Sequence, residues 1–252
     1  MADEIESTQK EAVAEQNAKP AEPKLFQGLK RNYKYVIKSS ALILIFWLCQ
    51  FAYIYYFSLP GELERAIVLG AAFTAAILIG IALMIGPISV LFKVNYIQHS
   101  RTFGVWGVTF GIMHIVSAIV FYKITIDSYL ANLNPFQNAI IFGLAAFIIY
   151  LPIYLTSTDW AMRKLGPRKW KTIQRLVYVA YLFSVLHYVK INPQLFWNAS
   201  KIILMAVTFM VFVLELAAYI KTLEKKRTIG SMLYGGALIL FGVILLYLAF
   251  KG

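Results

Sequence analysis

The stretch IQRLVYVAYLFSVLHYV, residues 173–189, is almost entirely apolar but carries His187 near its end. A second apolar run, FGVWGVTFGIMHIV at residues 103–116, carries His114, and the whole chain has only three histidines. A polar ring inside a long apolar segment costs free energy unless it has a partner. Ionisable side chains in such segments are rare and usually functional. These two histidines are therefore the first candidate functional residues.

The composition indicates a polytopic membrane protein. The chain has 252 residues, of which 60% are hydrophobic and only 14% charged, and its mean hydropathy is +0.68. Such values lie well outside those of an average soluble domain. The net charge of +12 does not indicate a nucleic-acid-binding surface, because the basic residues fall in short segments between apolar runs. A single cysteine, Cys49, excludes an intramolecular disulfide and a cysteine-based metal cluster.

Seven apolar runs approach the roughly 20 residues that a helix needs to cross a bilayer. They are Ser40–Leu59, Arg65–Phe92, Thr102–Tyr122, Gln137–Thr156, Thr172–Ile191, Asn198–Ile220 and Ile229–Phe250. The sequence thus predicts an all-α bundle of seven transmembrane helices. Residues 1–30 are rich in Ala, Glu, Lys and Gln, contain no apolar signal-peptide core, and are predicted to be a disordered cytoplasmic tail. Residues 31–222 then form the main membrane domain, and residues 223–252 an additional helix.

The basic residues near the span ends predict the orientation. Sixteen lie on the side of the N-terminus and five on the other side, Arg65, Lys123, Lys190, Lys201 and Lys251. Because cytoplasmic loops are enriched in Lys and Arg, the N-terminus is predicted to be cytoplasmic and, with seven spans, the C-terminus outside. We expect a bacterial inner membrane as the location and the lipid bilayer as an obligate partner, with no nucleic acid involved.

Both histidines are expected at the same depth. Spans three and five run in the same direction, and His114 follows Arg101 by 13 residues while His187 follows Arg175 by 12. At about 1.5 Å per residue, both imidazoles lie roughly 18–20 Å from the cytoplasmic interface. Two neutral imidazoles at one depth on different helices can bind one metal from opposite sides.

Small residues accompany both histidines at helical spacing. They are Gly104, Gly107, Gly111 and Ala118 on span three, and Ala180 and Ser184 on span five. A porphyrin between two helices needs small neighbours beside its axial ligands, and histidine is a common haem ligand. The alternative is that the small residues serve close helix packing and that each histidine only hydrogen-bonds a carbonyl. The matching depth favours one bis-histidine b-type haem, with His114 and His187 as iron ligands and Gly107, Gly111, Ala180 and Ser184 lining it.

Two further ionisable residues are weaker candidates. His99 in VNYIQHS is interpreted as a solvated histidine of a cytoplasmic loop. Glu215 lies near the cytoplasmic end of span six, where it could pair with Arg175 or accept a proton during quinol oxidation.

The basic segment RKLGPRKWK, residues 163–171, is interpreted as a cytoplasmic loop. With Trp160 and Trp170 it could anchor the protein at the membrane interface, or it could hold an anionic flavin or a lipid phosphate.

Two longer segments are similar to a known family. They are LTSTDWAMRKLGPRKWKTIQRLVYVAYLFSVLHYV at 155–189 and GPISVLFKVNYIQHSRTFGVWGVTFGIMHIV at 86–116. They resemble MsrQ, the family of haem-binding membrane subunits of periplasmic methionine sulfoxide reductase systems. The resemblance covers about Ile67–Val189 and places the chain with the ferric-reductase-like transmembrane superfamily, which includes NADPH oxidases and six-transmembrane metalloreductases. It implies a six-helix core whose haem ligands lie on the third and fifth spans, at His114 and His187.

The chain departs from this pattern at one level of the bundle. MsrQ proteins have a further histidine where this chain has Gln174, and the inner-haem position of two-haem relatives falls at Ser100. Glutamine is a very poor iron ligand, so we expect one haem toward the outer face and no inner haem. A donor at the cytoplasmic face would then lie ~20 Å from the iron. Either the donor binds nearer the outer face, or a flavin fills the gap, or electrons follow a different route in this protein than in its relatives.

The leading functional prediction is a b-haem electron-transfer subunit rather than a complete enzyme. It would pass electrons from quinol or another membrane donor to an acceptor outside the cytoplasm, with a quinone or FMN as further candidate cofactors. No G-x-G-x-x-G dinucleotide-binding motif follows a strand pattern, so we expect the electron donor to be a separate molecule. A membrane or periplasmic redox protein, or a larger membrane complex, is the expected partner. No catalytic residue is predicted.

Two other classes of function are alternatives to this prediction. A non-redox structural subunit of a larger membrane complex, retaining the fold, stays open because of Gln174 and the additional span. A transporter or a retinal photoreceptor is disfavoured, because span seven has no lysine before Lys251 and the spans hold almost no paired ionisable residues.

Overall fold

The computed structural model describes residues 33–94, 96–123, 138–191, 199–223 and residue 242, and these residues are helical or lie in short connections. The helices are α1 (Tyr33–Tyr53), continued by a π-helical turn at Ile54–Ser58, α2 (Leu63–Phe92), α3 (Ile97–Tyr122), α4 (Ile140–Leu155), α5 (Asp159–Arg175), α6 (Val177–Ile191) and α7 (Ala199–Leu223). The described part of the chain contains no strand, so the all-α prediction is confirmed there.

Four helical segments are long and apolar enough to cross a membrane, namely Val36–Ser58, Leu63–Phe92, Gln98–Tyr122 and Ile202–Lys221. The segments Ile140–Leu155 and Asp159–Ile191 are bent by 106° relative to each other and meet the same criteria only when taken together. The chain is therefore a multi-pass membrane protein. The predicted seventh span and the predicted N-terminal tail lie outside the described residues, except for Gly242.

Helix α2 is the central element of the bundle and packs against α1, α3 and α7. A glycine allows the close approach of α7, because a Cβ at Gly80 would lie 2.3 Å from the Val207 side chain. A Cβ at Gly70 would make only an ordinary contact, 3.5 Å from the backbone of Phe51 on α1. The outer faces of α1 and α3 instead expose large apolar side chains, as expected of surfaces that meet lipid: Leu42, Ile45, Phe57, Val116 and Val120.

The second packing unit consists of α4 and α6, which lie against each other. Helix α3 packs mainly against α2, whereas α6 packs mainly against α4. The two predicted iron ligands are therefore carried by different helix pairs. The apolar core where these pairs meet includes Val108 of α3, Tyr150 of α4 and Tyr181 of α6.

The segment interpreted as a loop at residues 163–171 is helical in the structure and forms most of α5, so that interpretation was wrong. The Thr158 side chain caps the helix by accepting a hydrogen bond from the Ala161 amide. Gly166 has φ +75°, which bends the helix, and Pro167 begins the next helical stretch with a φ suited to a first turn. The basic side chains concealed this helix from sequence reasoning, because they interrupt the apolar period.

Candidate haem-ligand site

The rings of His114 on α3 and His187 on α6 lie next to each other. Their centroids are 6.4 Å apart and their planes are inclined by 68°. Both side chains are half-buried. The structure thus brings together two histidines that are 73 residues apart in the chain and that belong to different helix pairs.

Each histidine is fixed by a hydrogen bond to a backbone carbonyl. His114 Nδ1 lies 3.0 Å from the Val68 carbonyl oxygen on α2, and His187 Nδ1 lies 2.8 Å from the Ala139 carbonyl oxygen just before α4. A carbonyl can only accept, so each Nδ1 carries the proton and donates. In a neutral imidazole the Nε2 lone pair then remains available to a metal. This outer-shell arrangement is typical of metal-binding histidines.

The donor set fits a porphyrin better than a bare metal ion. Within the described residues, no third His, Cys, Asp or Glu joins the pair to form a metal-binding group. A structural zinc site needs four protein ligands, whereas a porphyrin supplies four nitrogens and leaves two axial positions. Two metal–nitrogen bonds of about 2 Å, each extended by about 1 Å to the ring centre, separate two axial imidazole centres by roughly 6 Å. The observed 6.4 Å agrees with this spacing.

Gly143 on α4 is a site residue that the sequence reasoning missed. A Cβ at this position would lie 2.9 Å from both Nδ1 and Cε1 of His187. The absence of a side chain lets the His187 ring lie against α4 and reach the Ala139 carbonyl. The available signal was an isolated glycine in the apolar run IIFGLAAF, which often marks a close approach.

The predicted glycine stripe of α3 divides into two parts. A Cβ at Gly107 would lie 2.6 Å from the Ile79 side chain and 3.2 Å from the Ala75 carbonyl oxygen, so Gly107 serves close packing on α2. This contact favours the helix-packing alternative at Gly107, whose place beside a haem stays a prediction. Gly111, three residues before His114, has open space where its Cβ would be.

Ala180 and Ser184 lie on α6 below His187. Ala180 has no solvent exposure and belongs to the apolar core with Tyr150 and Val108. The Ser184 hydroxyl donates to the Ala180 carbonyl at 3.0 Å and lies 3.5 Å from the Tyr150 hydroxyl. Ala180 is therefore a core residue in this structure. Ser184, three residues before His187, has its hydroxyl bonded within α6 and near Tyr150.

Ser100 and Gln174, the positions predicted to lack inner-haem ligands, are satisfied polar side chains. The Ser100 hydroxyl donates to the Ala82 carbonyl at 2.8 Å. The Gln174 amide donates to the Ile153 carbonyl at 3.2 Å and lies 3.2 Å from the Thr156 hydroxyl. Neither side chain is a metal ligand in this arrangement. Both instead hydrogen-bond to the neighbouring helix.

The turn between α4 and α5, residues 156–158, is held by two further side chains. Arg101 on α3 donates from Nε to the Ser157 carbonyl at 2.6 Å and pairs with the Asp159 carboxylate, and its side chain is only 9% exposed. The Trp170 indole donates to the Thr156 carbonyl at 3.0 Å. Arg101 thus connects the turn to α3, and Trp170 and Gln174 connect it to α5. These contacts explain how the sharp bend is stabilised.

Two weaker candidates differ from the predictions. His99 lies in the first turn of α3, half-buried and edge-on to Tyr96, not in a solvated loop. Glu215 on α7 is buried and accepts a hydrogen bond from the Tyr178 hydroxyl. Arg175 is exposed and forms no ion pair within the described residues, so the predicted pairing with Glu215 was wrong.

Comparison with known proteins supports the resemblance seen in the sequence. Residues 66–185 match the family model described as ferric reductase like transmembrane component, a segment that includes His114 and ends two residues before His187. The resemblance to the ferric-reductase-like superfamily is confirmed. No solved structure matches the chain.

Several relatives are protein-methionine-sulfoxide reductase heme-binding subunits named MsrQ. Those of Agrobacterium fabrum and Rhizobium meliloti are each 33% identical over 109 residues, which is 43% and 42% of this chain and 50% and 49% of the relatives. That of Brucella ovis is 26% identical over 146 residues, 56% of this chain and 64% of the relative. The chain thus spans about half the length of the first two relatives. Its similarity to MsrQ is confirmed over that part.

Proposed function

We propose that the chain is a membrane electron-transfer subunit that binds one b-type haem between His114 and His187. Electrons would come from quinol or another membrane donor and leave to an acceptor outside the cytoplasm. A haem iron cycles between ferric and ferrous states and so supplies one-electron transfer when bound. The protein supplies the two axial nitrogens, their orientation and a water-poor surrounding.

One observation carries this proposal. The two rings stand 6.4 Å apart, and each directs its Nδ1 proton to a carbonyl, which leaves both Nε2 lone pairs free to bind a metal. A purely structural histidine would need only its carbonyl bond and would gain nothing from a second imidazole nearby. The MsrQ relatives are named heme-binding subunits, which supports the same cofactor.

The proposed membrane organisation follows from the charge distribution. Seven spans, a cytoplasmic N-terminus and an outer C-terminus agree with the excess of basic residues in the loops on the side of the N-terminus. Residues 1–30 would precede a haem-binding domain at 31–222, followed by an additional helix at 223–252. A bacterial inner membrane is the proposed location. The proposed acceptor is a redox protein or a larger complex on the outer side.

A single haem is proposed because Ser100 and Gln174, at the second level, are poor iron ligands. Ser100 and Gln174 donate to carbonyls of neighbouring helices. Gln174 precedes His187 by 13 residues, which corresponds to a rise of ~20 Å along a helix. An electron donor that contacts only the cytoplasmic face would therefore be far from the iron, which favours a quinone or FMN bound deeper in the bundle.

The proposal is tested by the dithionite-reduced minus oxidised spectrum of the purified chain, expressed with ample haem supply. We expect a sharp b-type α band in the wild type and its loss in both His114→Ala and His187→Ala. His99→Ala is the matched control, because His99 lies outside the site and should leave the band intact. A colourless wild-type protein, or a band that survives both substitutions, would contradict the proposal.

A second candidate function is a non-redox accessory subunit that retains the fold. The hydrogen-bonded Ser100 and Gln174 favour it, because neither side chain is a good iron ligand for a second haem nearer the cytoplasmic face. Reduction of the bound haem by a soluble quinol analogue decides between the two. Reduction within seconds supports electron transfer, and a haem that only dithionite reduces supports the accessory role.

A further inference from the structure

Helix α5 has an unusual position and composition for a membrane protein helix. It begins four residues after α4 ends, and α6 begins two residues after α5 ends. Both neighbours are strongly apolar, whereas α5 carries six basic residues, Arg163, Lys164, Arg168, Lys169, Lys171 and Arg175. Such a helix cannot cross the hydrocarbon layer. It must lie where α4 leaves that layer and α6 enters it.

The two faces of α5 differ sharply. Ala161 and Met162 are buried, and Trp170 and Gln174 hydrogen-bond to the end of α4. Gly166 separates α5 into two helical stretches, and these contacts bury or bond one side of each stretch. The six basic side chains are all exposed as a result.

None of these six cations has an anionic partner within the described residues. The single acid of α5, Asp159, is already paired with Arg101. Lys164 lies 4.8 Å from the ring centre of Trp160, whose side chain is 64% exposed. An exposed tryptophan beside unpaired cations is typical of the membrane–water interface, where indole rings lie at the level of the headgroups.

We propose that the basic face of α5 is a binding surface for anionic phospholipid headgroups of the adjoining leaflet. Amphipathic helices with basic polar faces lie in the interface and are attracted to anionic lipids. The headgroup phosphate supplies the missing negative charge, and the Trp160 ring supplies contact with the glycerol and upper acyl region. Because α5 holds the turn after α4, and α4 carries Gly143 beside His187, lipid binding here would steady the α4–α6 pair.

The test uses the full chain in mild detergent, with native mass spectrometry to count retained lipids. Phosphatidylglycerol should be retained about tenfold more strongly than phosphatidylcholine, and Arg168→Gln/Lys169→Gln should remove most of that preference. The matched control is Lys38→Gln/Lys93→Gln, which removes two exposed cations away from α5 and should keep the preference. If the first variant loses its melting transition, Lys164→Gln/Lys171→Gln replaces it.

Three results would overturn the proposal. Equal loss of preference in both double variants would mean a general charge effect without a site on α5. Displacement of phosphatidylglycerol by an equal concentration of inorganic phosphate would mean a small-anion site. Stronger binding of a polyglutamate peptide than of phosphatidylglycerol would mean a protein-docking surface. The haem spectrum is not part of the readout, so these results stand whether or not the chain binds haem.

Discussion

The bundle presents polar residues at two levels, and they use their hydrogen bonds in opposite ways. At the level of His114 and His187, each ring bonds one nitrogen to a backbone carbonyl and leaves the other without a carbonyl contact from the described residues, with the two rings 6.4 Å apart. At the level of Ser100 and Gln174, the polar groups bond to carbonyls and hydroxyls of neighbouring helices. The first level is the proposed ligand site, and the second is a set of structural contacts.

The difference shows what the glutamine side chain at position 174 does in this fold. A glutamine amide offers two N–H donors but no good iron ligand, and the ends of α4 offer carbonyl and hydroxyl acceptors. Gln174 therefore serves the α4–α5 turn, where Arg101 and Trp170 also bind. Substitutions at the upper level should change haem binding and spare the fold, and substitutions at the lower level should do the reverse.

The largest effect on haem is expected from Gly143→Leu. Any Cβ here meets the His187 ring at 2.9 Å, and a leucine adds three further carbons in the same place. The ring must leave the Ala139 carbonyl, so the haem content of the purified protein should fall about tenfold or more. Gly86→Leu is the control, because no atom lies within 4 Å of a Cβ at Gly86. Equal haem content in both variants would show that Gly143 does not position His187.

The largest effect on the fold is expected from Arg101→Met. The guanidinium is nearly buried, and its removal leaves the Ser157 carbonyl and the Asp159 carboxylate without their donor. We expect a loss of about 3 kcal/mol in the free energy of unfolding. Thermal unfolding in detergent measures this loss, with Arg163→Met as the exposed control. The haem that remains in folded protein should keep the wild-type spectrum, and a changed spectrum would mean that the two levels are coupled.

A smaller effect is expected from Gln174→His, which introduces the histidine that the resemblance to MsrQ implies here. The haem-to-protein ratio should stay at one, because Ser100 remains bonded to the Ala82 carbonyl and supplies no second ligand. Loss of the amide contacts should lower stability by about 1–2 kcal/mol. A ratio that rises toward two, measured by pyridine haemochrome, would show that the lower level is still a haem site.

The smallest effects separate Gly107 from Gly111, two of the glycines of α3. Gly107→Ala should cost about 1–2 kcal/mol of stability, because its Cβ would meet Ile79 at 2.6 Å. Gly111→Ala should not lower stability, because its Cβ enters open space, but it should weaken haem retention by a few fold. Thermal unfolding and haem titration of the two variants measure both quantities. Weaker haem retention in Gly107→Ala and a loss of stability in Gly111→Ala would place the haem on the Gly107 side of α3.

The sequence predicted the helices and the histidine pair because both depend on long, regular signals. Apolar runs of bilayer length are hard to mistake, and the spacings from Arg101 and Arg175 placed the two rings at one depth. Helix α5 could not be predicted from an apolar period, since its basic residues break that period. The carbonyl partners at Val68 and Ala139 leave no sequence signal at all.

The glycines show a second limit of sequence reasoning. A small residue every three or four positions indicates a close approach, but it does not tell whether a helix or a cofactor approaches. Gly107 meets α2, Gly111 faces open space, and Gly143 meets the His187 ring. Only the packing of all the helices together distinguishes these three roles.

The electron paramagnetic resonance spectrum of the oxidised full-length protein addresses the His114–His187 pair most directly. Two axial imidazoles give a strong ligand field, so we expect one low-spin ferric haem per chain, which is lost or becomes high-spin in His114→Ala and in His187→Ala alike. A high-spin centre in the wild type, or a low-spin signal that persists in either variant, would contradict ligation by this pair.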